Sequence, residues 1–331
     1  MSLPSPELPA PLAAAIEARL EGLSQNALRD SARALSERYR SRKPTSETIR
    51  DEIDVLAYAA TRMPATYAAI VTALGRLEEE RPDFAPKRVL DVGCGLGAAS
   101  CAAAAVWPDV AEITLLDRSA LFLKLATDLM QQSVAASVET ALADFSTPPA
   151  AEPTRFDLVV AGYALTEVAE SRLADVIDRL WAQTGGALVI VEPGTPRDHA
   201  RLMLARSRLL ALGAELFAPC PHQAPCPLPA NDWCHFSVRL PRRRAHRLAK
   251  GVDAPFEDEK FAYLAVGRSV ARPPSARIIA PPRSGKAGIS LKLCGDKAFR
   301  ETFIPKRDKA RYEQIRRKDW GDPLRAPAEE T

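Results

Sequence analysis

The sequence predicts an α/β chain. A parallel sheet covered by helices on both faces stands between an N-terminal helical region and a strand-containing C-terminal extension. Three observations predict it. Continuous apolar runs of strand length alternate with helical patterns between residues 87 and 195. One of those runs, Arg88-Val89-Leu90-Asp91-Val92, opens into Gly93-Cys94-Gly95-Leu96-Gly97. Residues 1–80 hold helical spacing and no strand-like run, whereas the last third mixes cysteines, prolines, basic patches and short strands. The boundaries expected are 1–82, 83–216 and 217–331.

The N-terminal helices follow from apolar spacing. Leu12, Ile16, Leu20 and Leu23 mark a helix over Pro11 to Leu23, and Leu28 and Leu35 mark one over Asn26 to Tyr39. Ser41-Arg42-Lys43-Pro44 breaks the pattern, and Thr45 or Ser46 is placed to cap a third helix through Ile49, Ile53, Leu56, Ala57 and Ala60. Pro64 should kink or end it, with a further helix over Ala65 to Glu79. The dense segment Tyr58-Ala59-Ala60-Thr61-Arg62-Met63-Pro64-Ala65-Thr66-Tyr67 reads first as helix–helix packing.

The glycine turn carries the chemistry. Glycines allow positive φ and close approach of a ligand to the backbone, and the following helix, Ala98 to Val106, turns its N-terminal N–H groups toward that ligand. A second strand, Ile113 to Leu116, ends in Asp117, twenty residues after Gly97, where a nucleotide-binding βαβ unit places an acid for ribose hydroxyls. The spacing is G-x-G-x-G with Asp91 two residues before the first glycine, not the dinucleotide G-x-G-x-x-G. Asp91, Gly93, Gly95, Gly97 and Asp117 together resemble the S-adenosylmethionine (SAM) site of Rossmann-like methyltransferases. A helix over Ala120 to Gln132 follows, then a strand over Ser137 to Ala143 ending near Asp144, where that resemblance implies an acid for the adenine amino group. Phe156 to Tyr163 is the fourth strand and Gly185 to Val191 the fifth, ending in Glu192-Pro193-Gly194-Thr195-Pro196. Gly93, Asp117, Asp144, Tyr163 and Glu192 all fall at strand carboxyl ends, where such sheets bind ligands.

A helix is expected from Asp198 to Glu215. Cys220, Cys226 and Cys234 then lie among Pro221, Pro225, Pro227 and Pro229, and Cys294 lies sixty positions further on. Proline fixes φ, so this loop is pre-shaped, and a fourth thiolate from a distant strand would tie the C-terminal region to it. Partnerless structural thiols, a zinc site and an iron–sulfur cluster are the three readings. The gaps C-x5-C-x7-C are wider than the tight pairs of zinc sites, and clusters tolerate such spacing. His222 and His235 neighbour two of these cysteines and read first as solvent-facing residues, with a ligand role as the alternative; Cys94 and Cys101 are read as buried structural thiols. Strands are expected over Phe261 to Val266, Ala276 to Ala280 and Ile289 to Leu293. One basic patch holds Arg239, Arg242, Arg243, Arg244, Arg247 and Lys250; another holds Lys306, Arg307, Lys309, Arg311, Arg316, Arg317 and Lys318, and Arg283 and Lys286 share a loop between strands. Such runs suit a phosphate backbone.

Net charge is only +3, so a nucleic-acid surface must be local. No apolar run of about 18 residues is present, so no membrane span is expected. Met1-Ser2-Leu3-Pro4-Ser5-Pro6 has no basic or apolar leader pattern, so the cysteines are expected in a reducing bacterial cytoplasm.

Over nearly its full length the chain resembles the mitochondrial small-ribosomal-subunit methyltransferase-like proteins and their bacterial relatives. The resemblance rests on the Tyr58-to-Tyr67 segment, the Asp91-to-Gly97 loop, Asp157 to Glu167, Glu192 to Pro196, and the set Cys220, Cys226, Cys234 and Cys294. It implies a Rossmann-like SAM-dependent methyltransferase core and a metal-bound extension in which those four cysteines hold a [4Fe-4S] cluster. It also implies a role on small-subunit rRNA, in a protein expected to be a monomer. No catalytic residue is assigned. The fourth strand has no nucleophilic Cys beside it and ends in Ala161-Gly162-Tyr163-Ala164, which lacks the Asn/Asp-Pro-Pro-Tyr/Phe of base N-methyltransferases. An rRNA methyltransferase, a non-catalytic assembly factor and a small-molecule methyltransferase with a zinc-bound domain are the competing functions, and the basic patches argue against the last.

Overall fold

A computed structural model of the chain describes residues 3–40, 49–148, 154–270, 273–295 and 298–325. The N-terminal region is helical, with α1 (Ala10–Leu20), α2 (Gln25–Arg40), α3 (Glu52–Thr61) and α4 (Met63–Glu80). The expected caps Thr45 and Ser46 lie outside the described residues. Asp51 caps α3 instead, its carboxylate accepting from the Asp54 amide at 3.0 Å. Pro64 sits in the first turn of α4, where no intrahelical N–H is needed, so the break before it falls at Arg62.

The middle of the chain alternates β1 (Arg88–Val92), α5 (Ala98–Val106), β2 (Glu112–Asp117), α6 (Ala120–Met130), β3 (Ser137–Leu142), β4 (Phe156–Gly162), α7 (Leu173–Gln183), β5 (Thr184–Pro193) and α8 (Pro196–Ala211). α8 is shorter than expected. Gly213, at φ +81°, turns the chain out of the helix, and Glu215 starts a strand. The remainder is β6 (Glu215–Ala218), β7 (Phe236–Pro241), α9 (Arg244–Lys250), β8 (Phe256–Gly267), β9 (Ala276–Ile278), β10 (Arg283–Ser284), β11 (Gly288–Gly295), β12 (Ala298–Pro305), α10 (Lys309–Ile315) and β13 (Pro323–Leu324).

The main sheet has eight strands in the order β3-β2-β1-β4-β5-β8-β6, with β7 also paired to β8. β1 to β5 are mutually parallel, whereas β6, β7 and β8 pair antiparallel. This is the α/β, Rossmann-like sheet, and it continues past residue 216 into the segment with the cysteines. The order reverses at β1, whose neighbours are β2 and β4, and a crevice opens at their carboxyl ends.

α4 lies against this sheet. Met63, Ile70, Leu74 and Leu77 are essentially solvent-free and share one core cluster with β1, β2, β4 and β5. A Cβ added at Gly162 would stand 2.5 Å from Ile70 Cδ1, so α4 packs directly on the end of β4. Truncating such a side chain to Ala costs about 2–5 kcal/mol. β9 to β13 form a second, five-stranded sheet over a small core of Ile278, Ile289, Leu291, Leu293, Ile304 and Ile315. Buried Arg277 ties this sheet to α4. Its guanidinium donates to Glu80 Oε1 at 2.8 Å, Gly321 O at 2.8 Å and Pro219 O at 2.5 Å. Among the described residues no helix is long and apolar enough to cross a membrane.

Candidate functional site

One pocket of about 1070 Å³, open mouth included, occupies the crevice beyond β1, β2 and β4. Gly93, Gly95, Asp117, Asp144 and Tyr163 line it, as their places at strand ends require. Gly93, Gly95 and Gly97 all take positive φ, at +64°, +52° and +77°, so the turn needs glycine at each position. Asp91 and Gly97 lie beneath the pocket, outside its lining. Gly97 occupies the N-cap of α5 and has no side chain to cap it. Asp91 reaches up from β1 instead, its Oδ2 accepting from the Ser100 amide at 2.9 Å and the Ser100 hydroxyl at 2.8 Å. Burial pushes the Asp91 carboxyl up to about 7 despite those bonds.

Asp117 braces the loop. Its Oδ2 accepts from the Gly95 amide and its Oδ1 from the Ser119 amide, both at 2.8 Å. Each carboxylate oxygen has acceptor capacity beyond its one amide bond. Burial raises the Asp117 pKa, opposed by the two amides and by Arg118. For Asp144, burial is outweighed by hydrogen bonds from Ser146 together with Arg118 and Arg172, which hold its carboxyl below the ordinary range. Residues with no assigned role in the sequence reading also enter: Tyr58, Arg118, Phe122, Phe145 and Arg172. Tyr58 comes from α3, packed edge-on to Phe122 with ring centroids 5.1 Å apart. The Tyr58-to-Tyr67 segment therefore does more than pack helices; its first residue is pocket wall. An aromatic residue seven positions into a helix gives no sequence signal of that role.

Tyr163 stands at φ +59°, a conformation rare for a bulky side chain. Its hydroxyl donates to Glu259 Oε1 on β8 at 2.7 Å, and the Arg62 guanidinium lies 5.9 Å from its ring centroid and 3.6 Å from Glu259. Glu192, a candidate base by position, is buried behind the loop. Its two oxygens accept from the Leu165 and Thr166 amides at 2.8 and 3.0 Å, and burial, with Asp198 nearby, pushes its pKa up to about 8. It shapes the turn after β4. Glu167 lines the pocket and pairs with Arg118 at 3.4 Å.

A second pocket, about 500 Å³ with its mouth, is lined by all four candidate ligands, Cys220, Cys226, Cys234 and Cys294. The first three come from the proline-rich loop between β6 and β7, and Cys294 comes from β11. The rest of the lining is apolar apart from His199, His222 and Tyr263, with no carboxylate. Among the described residues no three His, Cys, Asp or Glu side chains stand in the compact grouping of a bound ion. Burial, then mutual repulsion of the thiolates, raises the Cys234 and Cys294 thiols, Cys294 to about 12. His222 Nε2 is 3.5 Å from Cys294 Sγ, while His235 stacks on Trp233 and meets Trp320 edge-on, outside the pocket lining. His199 Nε2 is buried with no hydrogen-bond partner. Cys94 and Cys101 are buried in the core, Cys101 Sγ 3.2 Å from Met130 Sδ.

The basic patches are partly closed on themselves. Arg239 pairs with Asp258, Arg242 and Lys250 with Glu257, Arg243 with Glu17, and Arg316 with Glu313. The Arg239, Arg243 and Arg316 pairs are exposed and contribute little to stability, whereas Arg242 and Lys250 are held in a part-buried cluster on Glu257.

Human mitochondrial ribosome assembly protein METTL17 is 30% identical over 290 residues, covering 81% of this chain and 62% of that protein. The mitochondrial Rsm22-cox11 tandem protein 2 of Schizosaccharomyces pombe is 26% identical, covering 88% of this chain and 47% of its own length. The chain thus spans between about half and two thirds of these relatives. Among solved structures, magnesium protoporphyrin IX methyltransferase from Synechocystis with bound SAH aligns over 74% of this chain and 99% of its own, at 14% identity and a TM-score of 0.42. A likeness of that size carries no argument about this chain. The model of the family described as Mitochondrial small ribosomal subunit Rsm22 matches residues 52–325, and the chain belongs to that family.

Proposed function

We propose that the chain is a SAM-binding, methyltransferase-like assembly factor of the small ribosomal subunit that contacts rRNA and holds an iron–sulfur cluster on Cys220, Cys226, Cys234 and Cys294. The observation that carries it is the pairing of two pockets in one molecule: a glycine-loop crevice at the β1–β4 reversal, and a four-thiol pocket joining the main sheet to the second one.

In the first pocket Asp117 accepts the ribose hydroxyls while its amide bonds hold the loop at the right height. Asp144, kept ionised, accepts from the adenine amino group, and Tyr58, Phe122 and Phe145 supply apolar wall. Asp91 acts from below by fixing α5 and the Gly97 turn. SAM, when bound, supplies an electrophilic methyl group. In the second pocket the donor set suits a soft metal group: four thiols, an apolar surround, no carboxylate, and His199 in the lining with a buried nitrogen that has no hydrogen-bond partner. An iron–sulfur cluster is favoured over zinc by the spacing C-x5-C-x7-C, wider than the tight pairs of zinc sites. Thiols with raised pKa values must release protons on loading.

For the reaction, methyl transfer to rRNA is the first reading. A second, in which SAM is a structural ligand, is favoured by one observation: the polar groups nearest the end of β4 are already engaged, Tyr163 by Glu259 and Glu192 by two amides. Anaerobically purified chain incubated with methyl-labelled SAM and immature small subunits separates them. Label in rRNA supports transfer. Salt-sensitive binding without label supports the assembly-factor reading, and neither binding nor label rejects the proposal.

A further inference from the structure

Two buried guanidinium groups stand beside the four-thiol pocket, and they differ. Arg277, fully buried, has Glu80 as its counter-charge. Arg206, only 4% exposed, has no ion pair with a carboxylate among the described residues. It lies on α8, on the face that carries His199, Leu202 and Met203 at helical spacing, and those three line the thiol pocket. One Arg206 nitrogen, Nη2, donates to His222 O at 2.9 Å and Ala224 O at 2.8 Å, both in the loop between Cys220 and Cys226. The guanidinium lies near enough to Cys220 to act on its thiol electrostatically, and its Nε is buried without a partner.

An uncompensated guanidinium in the interior is costly, and arginine does not shed its proton to escape the cost. Proteins retain such a charge where an anion belongs beside it. Among the described residues no carboxylate pairs with Arg206, and the Cys220 thiol stands beside it; thiols carry a full negative charge once a metal holds them as thiolates. Four thiolates around an iron–sulfur core leave a net negative charge in the pocket.

We propose that Arg206 is the buried counter-charge of the thiolate-held group, and that it sets how readily that group is reduced. This rests on the iron–sulfur reading above. One-electron reduction adds a negative charge inside the pocket, and a fixed cation behind Cys220 stabilises the reduced form and raises its potential. Arg277 contributes less to that field because Glu80 offsets it. Arg206 is a positioning residue as well, since it clamps the loop carbonyls; the test must separate charge from clamp.

The full chain and its Arg206→Gln and Arg206→Lys variants are reconstituted anaerobically. Iron and sulfide are assayed, and the midpoint potential is followed by dithionite titration with mediators. The expected result is a more negative potential in Arg206→Gln and recovery toward the wild-type value in Arg206→Lys, which keeps the charge but not the fork. Should Arg206→Gln fail to load while Arg206→Lys loads, the charge requirement is supported. Equal potentials in the wild type and a fully loaded Arg206→Gln overturn the proposal, as does failure of both variants to load, which makes the clamp alone responsible. Wild-type chain without iron and sulfide rejects the cluster reading itself, a result distinct from the others.

Discussion

The two pockets are built in opposite ways. The glycine-loop crevice is made of regular structure: its residues lie at the ends of adjacent parallel strands, and every brace, from Asp91 under α5 to Asp117 on the Gly95 amide, is a hydrogen bond already in place. The thiol pocket gathers three cysteines from a loop and one from a strand of another sheet, over a small core of six buried residues. The first is formed by the fold itself. On the proposed reading the second would draw part of its stability from the metal group it binds, because metal-binding energy in such a site is folding energy.

The sharpest way to break this contrast is Cys226→Ser. It should lose the metal and loosen residues 220–300 far more than the nucleotide half, a change on the scale of about 10 kcal/mol of binding free energy. Limited proteolysis reads it, and an unchanged C-terminal half would count against the idea. Next comes Arg277→Met, which strips a buried partner from Glu80 and releases Pro219 and Gly321; a loss of about 3–5 kcal/mol is expected in denaturant unfolding. A loss below 1 kcal/mol would mean that Arg325, the other partner of Glu80, suffices. Asp117→Ala should weaken SAM binding by about 1–3 kcal/mol in calorimetry while leaving the metal content alone. Unaltered affinity would remove Asp117 as the ribose ligand.

The smallest effect concerns pH. Glu192 is raised from 4.5 to about 8 in the folded chain, so it favours folding when protonated. Its contribution is complete below pH about 4.5 and is lost as pH rises through about 8. Glu192→Gln should therefore flatten the fall in stability across that window. Parallel slopes for variant and wild type would show that the carboxyl titrates normally.

What was legible in the sequence follows the same division. The β1 strand, its glycines, Asp117 and Asp144 could be placed because parallel strands put their carboxyl ends side by side, so position along the chain gives position in the site. The convergence of Cys294 on the loop was also expected. β7 and the first half of β8 were not. No strand was expected over Phe256-Glu257-Asp258-Glu259-Lys260, yet it is one: it pairs with β7, where Arg239 stands opposite Asp258 and bonds it, and Arg242, just past the end of β7, pairs with Glu257. Glu259 then reaches Tyr163, a contact spanning 96 positions that no local pattern encodes. Arg277 is hidden for a similar reason: within a basic-rich region its residue type suggests surface, and only its three distant partners explain why it is fully buried. The helix expected to reach Glu215 ends at Ala211, because Gly213 at positive φ turns the chain out of it.

The measurement that tests this account most directly is calorimetric SAM binding to the anaerobic full chain before and after chelator treatment to remove the proposed metal group, with metal content assayed and hydrogen exchange followed on the same samples. The account predicts unchanged SAM affinity and an undisturbed 89–97 loop, with protection lost across 219–236 and 276–295. Loss of SAM binding together with loosening of the glycine loop would contradict it, since the crevice would then depend on the metal as much as the thiol pocket does.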